Sequence, residues 1–320
     1  MSRPAPAWKP PPRDGVGASA VALPHGHWPT VLAFLAWRLP KATEAEWAQR
    51  LAAGEVFDET GQPVPPEAAY RPGTRLWYWR TPPAEQPVPF QAEILFQDAH
   101  LLVVDKPHFL AMTPKGRHAR ETLLARLQHQ LGLDTLVPIH RLDRETAGVV
   151  VFSLRPQDRG AYQALFRERA VAKVYEALAP FRADLAFPLT RHTRLAPCRE
   201  QFMVVREVPG APNALTRIEC VEHVGDLARY RLHPETGQTH QLRVHLNALG
   251  LPIVGDRIYP VLQPAPALGE PEDFSAPLQL LARRIAFTDP VTGQARVFES
   301  RRQLAPLSSI PSMSSISDWS

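Results

Sequence analysis

Charged residues gather around position 143, where His140-Arg141-Leu142-Asp143-Arg144-Glu145-Thr146-Ala147-Gly148 runs straight into Val149-Val150-Val151-Phe152-Ser153. An acid among potential counter-ions, feeding a β-branched apolar run, reads as a functional loop at the mouth of a buried strand. Asp143 is flanked by Arg141 and Arg144, and close cations favour the charged form of a carboxylate. A charged carboxylate serves as a nucleophile or base rather than as an acid. The same residues also fit a structural salt bridge in a strand-entry loop, so the stretch alone leaves both readings open.

A second stretch with chemical content is Glu235-Thr236-Gly237-Gln238-Thr239-His240-Gln241-Leu242-Arg243-Val244-His245-Leu246. Its spacing predicts a helix from near Thr239 to a cap at Gly250, with Leu242, Leu246 and Leu249 on one face and His240, Arg243 and Asn247 on the other. Arg243 then points away from the apolar stripe and is available to a partner elsewhere in the chain. His233, His240 and His245 do not form a metal set, because His240 and His245 are five apart and no carboxylate completes them. Cys198 and Cys220 lie outside any Cys-x-x-Cys pattern and are expected to be free thiols. There is no Gly-x-Gly-x-x-Gly or P-loop, so no cofactor is expected.

Elements must position these groups. Val31, Leu32, Phe34 and Leu35 begin a short helix, and Ala45, Trp47, Ala48 and Leu51 make a second that ends near Gly54. Turns at Glu59-Thr60-Gly61 and Pro72-Gly73 precede an aromatic strand, Leu76 to Trp79. After a proline-rich linker over 81–90, Ile94-Leu95-Phe96 and Leu101 to Val104 predict a hairpin, and Glu121 to Leu131 an amphipathic helix. Pro156 to Arg169 reads as helix, Ala172 to Ala179 as a strand. Further strands are expected at Gln201–Val208, Thr216–Val224, Leu227–Leu232, Leu278–Phe287 and Arg296–Phe298. Strands joined mostly by short turns, with few helices, predict an α+β fold: a mixed, largely antiparallel sheet with flanking helices, preceded by a small α/β module. The expected boundaries are a structureless proline-rich tail at 1–28, the module at 29–80, the linker, a large domain at 91–303 and a structureless serine-rich tail at 304–320.

The chain has 320 residues, 44% of them hydrophobic, enough for a sizeable core. No apolar run approaches a membrane span, and the proline-rich start does not read as a secretory signal, so a cytoplasmic protein is expected. Lys occurs only at 9, 41, 106, 115 and 173, which leaves 31 of the 36 basic residues as Arg. Arginine binds phosphate bidentately and stacks on bases, which suits a nucleic-acid partner, though a GC-rich genome produces the same bias.

His140 to Gly148 resembles the signature of the RluA family of RNA pseudouridine synthases, and three other stretches extend the likeness in the family's order. They are Asp105-Lys106-Pro107 closing the hairpin, Lys173-Val174-Tyr175-Glu176-Ala177, and Glu235 to Leu246 continuing through Gly250-Leu251-Pro252-Ile253-Val254-Gly255-Asp256. Leu278 to Ala282, with Phe287 and Asp289-Pro290, adds a final match. Ala147, Gln238 and Leu281 depart from the family's usual Ser, basic residue and His. Residues 29–80 resemble an S4-type RNA-binding module with a thin basic signature, Arg38, Lys41 and Arg50, so that RNA binding and a structural cap both stay open.

The resemblance implies that Asp143 is the catalytic residue, paired with Arg243, and that Tyr175 lies against the target uracil. It implies that Arg141, with His140 beside it, fills the gap left by a flipped base. Arg144, Lys106, Arg117 and Arg283 are the candidates for phosphate contacts. The partner is then ribosomal or transfer RNA, with no metal, no protein partner and a monomeric chain. Two rivals stand beside this reading: an RNA-binding protein on the same fold without catalysis, and a glycoside-type hydrolase. The hydrolase needs a second carboxylate about 5 to 5.5 Å from Asp143, and Glu145 alternates to the other side.

Overall fold

A computed structural model describes residues 8, 10, 11, 13, 16–79, 85–115, 118–264 and 270–310. The chain divides into two compact units, one of Met1–Glu85, Pro114–Arg120 and Ala125–Asp134, the other of Gln86–Thr113, Glu121–Leu124 and Thr135–Ser320.

In the first unit, strand β1 (Ser19–Ala22), helices α1 (Val31–Arg38) and α2 (Glu44–Ala52), and strands β2 (Val56–Phe57) and β3 (Arg75–Tyr78) form a three-stranded sheet, order β1-β3-β2, beside two helices. Thr30 caps α1 by accepting from Ala33 N–H at 3.2 Å. Thr43 and Glu46 form a reciprocal capping box on α2, which satisfies donors the first helical turn leaves open. Phe34, Leu35, Trp47, Leu51 and Val56 are the centre of its core. Ser19–Ala22 corrects the expectation of a structureless tail to residue 28: the alternating Val21 turns inward and the strand pairs antiparallel with β3.

The second unit contains β4 (Glu93–Gln97) and β5 (Leu101–Lys106); α3 (Leu123–Leu131) spans the division between the units. It continues with β6 (Val137–Pro138), β7 (Ala147–Ser153), α4 (Arg159–Arg167), β8 (Ala172–Pro180), β9 (Leu189–Pro197), β10 (Val205–Val208), β11 (Ala214–Val224), β12 (Leu227–Pro234), α5 (Gln241–Ala248), β13 (Leu280–Thr288) and β14 (Ala295–Glu299). The strands build one sheet of order β10-β9-β11-β12-β8-β13-β7-β5-β4, with β14 on β13 and β6 on β7. Every pairing is antiparallel except the short parallel contact of β13 with β7, so the fold is the mixed, largely antiparallel α+β sheet read from the sequence. β7 is buried along its whole length, as its unbroken apolar run requires.

β9 is an addition to the sequence reading. Its alternation of half-buried and exposed residues, Leu-Thr-Arg-His-Thr-Arg-Leu, carries too few apolar side chains to announce a strand. The expected serine-rich tail also needs correction at its start: Leu304 and Leu307 are buried against Ala147, Leu178 and Leu281. Their three-residue spacing, with Ile310 following, puts a single apolar edge of a short 3-10 turn on the sheet.

Candidate active site

Three neighbouring strands aim the site. Ala282 of β13 pairs with Gly148 of β7 on one side and with Tyr175 of β8 on the other. Tyr175 therefore lies in the row of residues from which the 140–147 loop departs. Gly148 has φ +116°, and a Cβ there would stand 2.3 Å from the carbonyl oxygen of Ala282. Only glycine allows the backbones to come that close at the root of the loop.

Asp143 is 30% exposed, and one of its oxygens is engaged: Oδ2 lies 3.4 Å from Nη1 of Arg243 and 3.9 Å from Nε2 of His240. Arg243 is only 2% exposed. Its remaining donors form a fork with Asp256, Nε to Oδ2 at 2.8 Å and Nη2 to Oδ1 at 2.7 Å. Asp256 in turn accepts the backbone N–H groups of Ile258 and Tyr259, and its own placement depends on Gly255, where a Cβ would meet the Pro277 carbonyl at 2.5 Å. Burial opposes the guanidinium's charge, but the hydrogen bonds and charge of Asp256, with Asp143 behind them, outweigh it and hold Arg243 more firmly protonated than usual. The Tyr259 ring completes the enclosure, its centroid 5.5 Å from the guanidinium carbon.

Helix α5 differs from its expected form. Gln241, Leu242, Arg243, Val244, His245 and Leu246 are all buried, so Arg243 does not look outward from an amphipathic helix; it is part of a helix covered on nearly every side. Its polar residues are held accordingly. Gln241 donates to the Leu215 carbonyl and to Thr216 Oγ1, and His245 lies between Thr216 and Thr193, at 3.0 and 3.1 Å.

Tyr175 is half-buried, packed against the cluster that includes Ala177, Tyr230 and Leu280. Burial, and then the negative charge of Asp143, push its phenol well above the ordinary tyrosine value, so the group is a neutral phenol. Arg141 is exposed and, among the described residues, makes no ion pair.

Four expected RNA contacts are placed differently. The His140 ring accepts the Val151 N–H at 3.1 Å and stacks on Phe166, and burial followed by the charge of Lys173 lowers its pKa to about 3. A neutral imidazole satisfying a strand N–H is a piece of the fold. Lys106 is fully buried, its Nζ donating to the carbonyls of Pro107, Leu110 and Arg144 at 2.9, 2.9 and 3.0 Å; burial draws its pKa down to about 7. It fastens the 144 end of the loop to β5 and offers no phosphate contact. Arg144 bonds Glu145 at 2.6 Å and forks onto Glu272 at 2.8 and 2.6 Å, so it is paired with two acids. Arg283 sits at the bulge in β13 and donates to the carbonyls of Ser300 and Arg302 and to Glu176. The common reason is that arginine, lysine and histidine side chains find internal partners, which residue type alone does not disclose. Arg117 lies outside the described residues.

The sequence reading missed Asp256 and Tyr259 as parts of the site, and weighed His240 only as a metal ligand. The signal for Asp256 was its place at the end of the family-like stretch, directly after Gly255. No group of three potential metal ligands occurs among the described residues.

Residues 100–248 match the family model described as RNA pseudouridylate synthase. The dual-specificity RNA pseudouridine synthase RluA of Salmonella typhimurium is 36% identical over 64% of this chain and 91% of its own length; that of Escherichia coli is 35% identical over 65% and 91%. Among solved structures, human RNA pseudouridylate synthase domain containing 1 has a TM-score of 0.53 at 23% identity, covering 68% of this chain and 86% of that one, a likeness of fold. Human RNA pseudouridylate synthase domain containing 4 gives 0.50 at 26%, covering 66% and 88%. Together with the ordered motifs around Asp143, Tyr175 and Arg243, these matches show that the chain belongs to the RluA family of RNA pseudouridine synthases, enzymes that isomerise uridine in RNA.

Proposed function

We propose that Asp143 is the catalytic carboxylate, acting on a uridine inside structured ribosomal or transfer RNA. The observation that carries this is the unequal engagement of its two oxygens: Oδ2 faces Arg243, while Oδ1 has no partner among the described residues on a side chain that is 30% exposed. A carboxylate serving only as a structural counter-ion is better satisfied on both oxygens, as Asp256 is.

The reaction breaks the bond between N1 and C1′, turns the freed uracil, and joins C5 to C1′; a proton leaves C5 and one is gained at N1. No atoms are added and no electrons leave. Oδ1 of Asp143 adds to C1′ or to the base, or removes a sugar proton, and Arg243 orients the carboxylate. Tyr175 stacks on the uracil. Because its phenol is neutral, accepting the C5 proton requires that it release its own to a neighbouring acceptor, for which Asp143, whose charge acts on it, is the candidate. A stacked uridine cannot reach this group, so it flips out at a cost of about a few kcal/mol, and the exposed Arg141 fills its place. The Arg-rich composition suits phosphate binding that weakens as salt is added. The chain acts as a monomer, in the cytoplasm where those RNAs are found.

The test maps pseudouridine in cellular RNA with and without the gene, then adds back Asp143→Asn. Sites that vanish on deletion identify the target. Asp143→Asn should lower product formation by about a thousandfold or more while RNA affinity stays within about twofold; near-normal turnover would show that another group does the chemistry.

A further inference from the structure

The neighbour of Asp143 that the proposed reaction leaves unused is His240. Its Nε2 approaches the same oxygen, Oδ2, that Arg243 holds, at 3.9 Å against 3.4 Å. Its other nitrogen, Nδ1, lies 3.1 Å from the Tyr259 hydroxyl. The ring is 12% exposed and meets the Tyr259 ring edge-on, centroids 5.8 Å apart at 86°.

We propose that His240, held in its Nε2–H tautomer by the Tyr259 hydroxyl, is a positioning residue that joins Arg243 in fixing Oδ2 of Asp143 and so reserves Oδ1 for the substrate. This rests on the reading of Asp143 as the catalytic group.

The tautomer follows from what each nitrogen faces. A lone pair on Nε2 would point at a carboxylate oxygen, so Nε2 carries the proton. A second proton on the ring is opposed by burial, which lowers the His240 pKa; Asp143 works against that, Arg243 adds to it, and Asp256 is the remaining charge nearby. Nδ1 is then bare and needs a donor. The Tyr259 oxygen accepts the Val205 N–H at 2.9 Å, and its single proton can go either to the Val205 carbonyl at 3.1 Å or to Nδ1 at 3.1 Å. Nδ1 has no other donor among the described residues, so the hydroxyl serves the histidine. Arg243 is held by the fork from Asp256, and Asp256 also accepts the Tyr259 N–H, so one buried carboxylate orients Arg243 directly and His240 through Tyr259.

The backbone supports the assignment. His240 has φ +54° at the start of α5, a left-handed conformation uncommon for a residue that is not glycine, and its carbonyl already accepts the Val244 N–H at 2.9 Å. A strained residue beside a reactive carboxylate is where function, not folding, sets the side chain. The 3.9 Å separation exceeds a hydrogen bond, and bonds of this kind tighten when substrate closes the site.

The experiment labels histidine with 15N in the full chain and reads the tautomer from long-range proton–nitrogen correlations, with the His240→Asn spectrum identifying the signal. The expected result is a neutral Nε2–H ring at neutral pH, moving toward a tautomer mixture in Tyr259→Phe. An Nδ1–H ring, or a doubly protonated one, overturns the proposal whatever the activity. Single-turnover assays on RNA supply the second reading. Asparagine tolerates the left-handed backbone but cannot reach Oδ2, so His240→Asn should slow pseudouridine formation about tenfold with RNA affinity within about twofold. His240→Gln carries an N–H to the Nε2 position and should recover part of the loss. An unaltered rate in His240→Asn, or equal damage in both variants, overturns the proposal. Normal turnover in Asp143→Asn would instead refute the catalytic reading and leave the tautomer result standing.

Discussion

At the scale of single residues, the site depends on a buried guanidinium shared unequally between two acids. Asp256 takes the short, forked pair of bonds and Asp143 the single longer one. Asp256 therefore neutralises Arg243, and Asp143 keeps one oxygen without a partner among the described residues. Arg243→Ala should harm folding as well as activity, since the buried Asp256 would be left without its partner. Asp256→Asn should reduce stability by about 3–5 kcal/mol, the usual effect of removing one member of a buried pair, seen as a lower urea midpoint. Arg243→Lys is the sharper probe. An ammonium cannot reproduce the fork, so turnover should fall at least about tenfold even where the fold survives; full activity would mean that charge alone, without geometry, suffices.

The elements matter through how closely they approach. β7 and β13 pair for only two residues, and the loop bearing Asp143 leaves from that contact. Gly148→Ala would drive a methyl into the Ala282 backbone, a neighbour that cannot rotate aside. We expect a loss of about 2 kcal/mol or more together with most of the activity, because the strand must shift beneath the loop. Gly293, at φ +74° with open space around its Cβ position, is the control: Gly293→Ala should cost about 1 kcal/mol and leave turnover intact. Comparable thermal midpoints for the two variants would refute the close-approach argument. Lys106 contributes at the same scale, tying β5 to residues 107, 110 and 144. Its placement was illegible in the sequence, where a lysine in Asp-Lys-Pro has the same spelling whether it meets phosphate or three carbonyls.

For the molecule as a whole, neutral histidines that are buried or half-buried govern behaviour in acid. Burial lowers His108 and His245 to about 4 and His140 to about 3, against an unfolded value near 6.5. A base whose folded pKa is depressed binds its proton first in the unfolded chain. The contribution is thus complete above about pH 6.5 and is lost as pH falls from there toward 4, the folded state weakening throughout. Urea midpoints measured across that window should drop steeply, and His245→Asn should flatten the slope; a flat profile in the parent protein would contradict the neutral burial of these rings. The arginine excess reads differently at this scale too. Arg144, Arg243 and Arg283 each satisfy internal acceptors, so part of what composition offers as an RNA footprint is structural.

Periodicity and turn chemistry determined the α+β class, the strand ahead of Ser153 and helix α5, because hydrophobic alternation is a local property that each segment carries whatever surrounds it. The identities and order of the motifs likewise single out Asp143, Tyr175 and Arg243 from the sequence alone. Only the tertiary structure decided which cation serves which acid: Arg144 lies beside Asp143 in the chain yet turns to Glu272, while Arg243, a hundred residues on, supplies the partner. Charge pairing depends on distance through space and on burial. Both are set by how β7, β8, β13 and α5 converge, and no window of sequence contains that convergence.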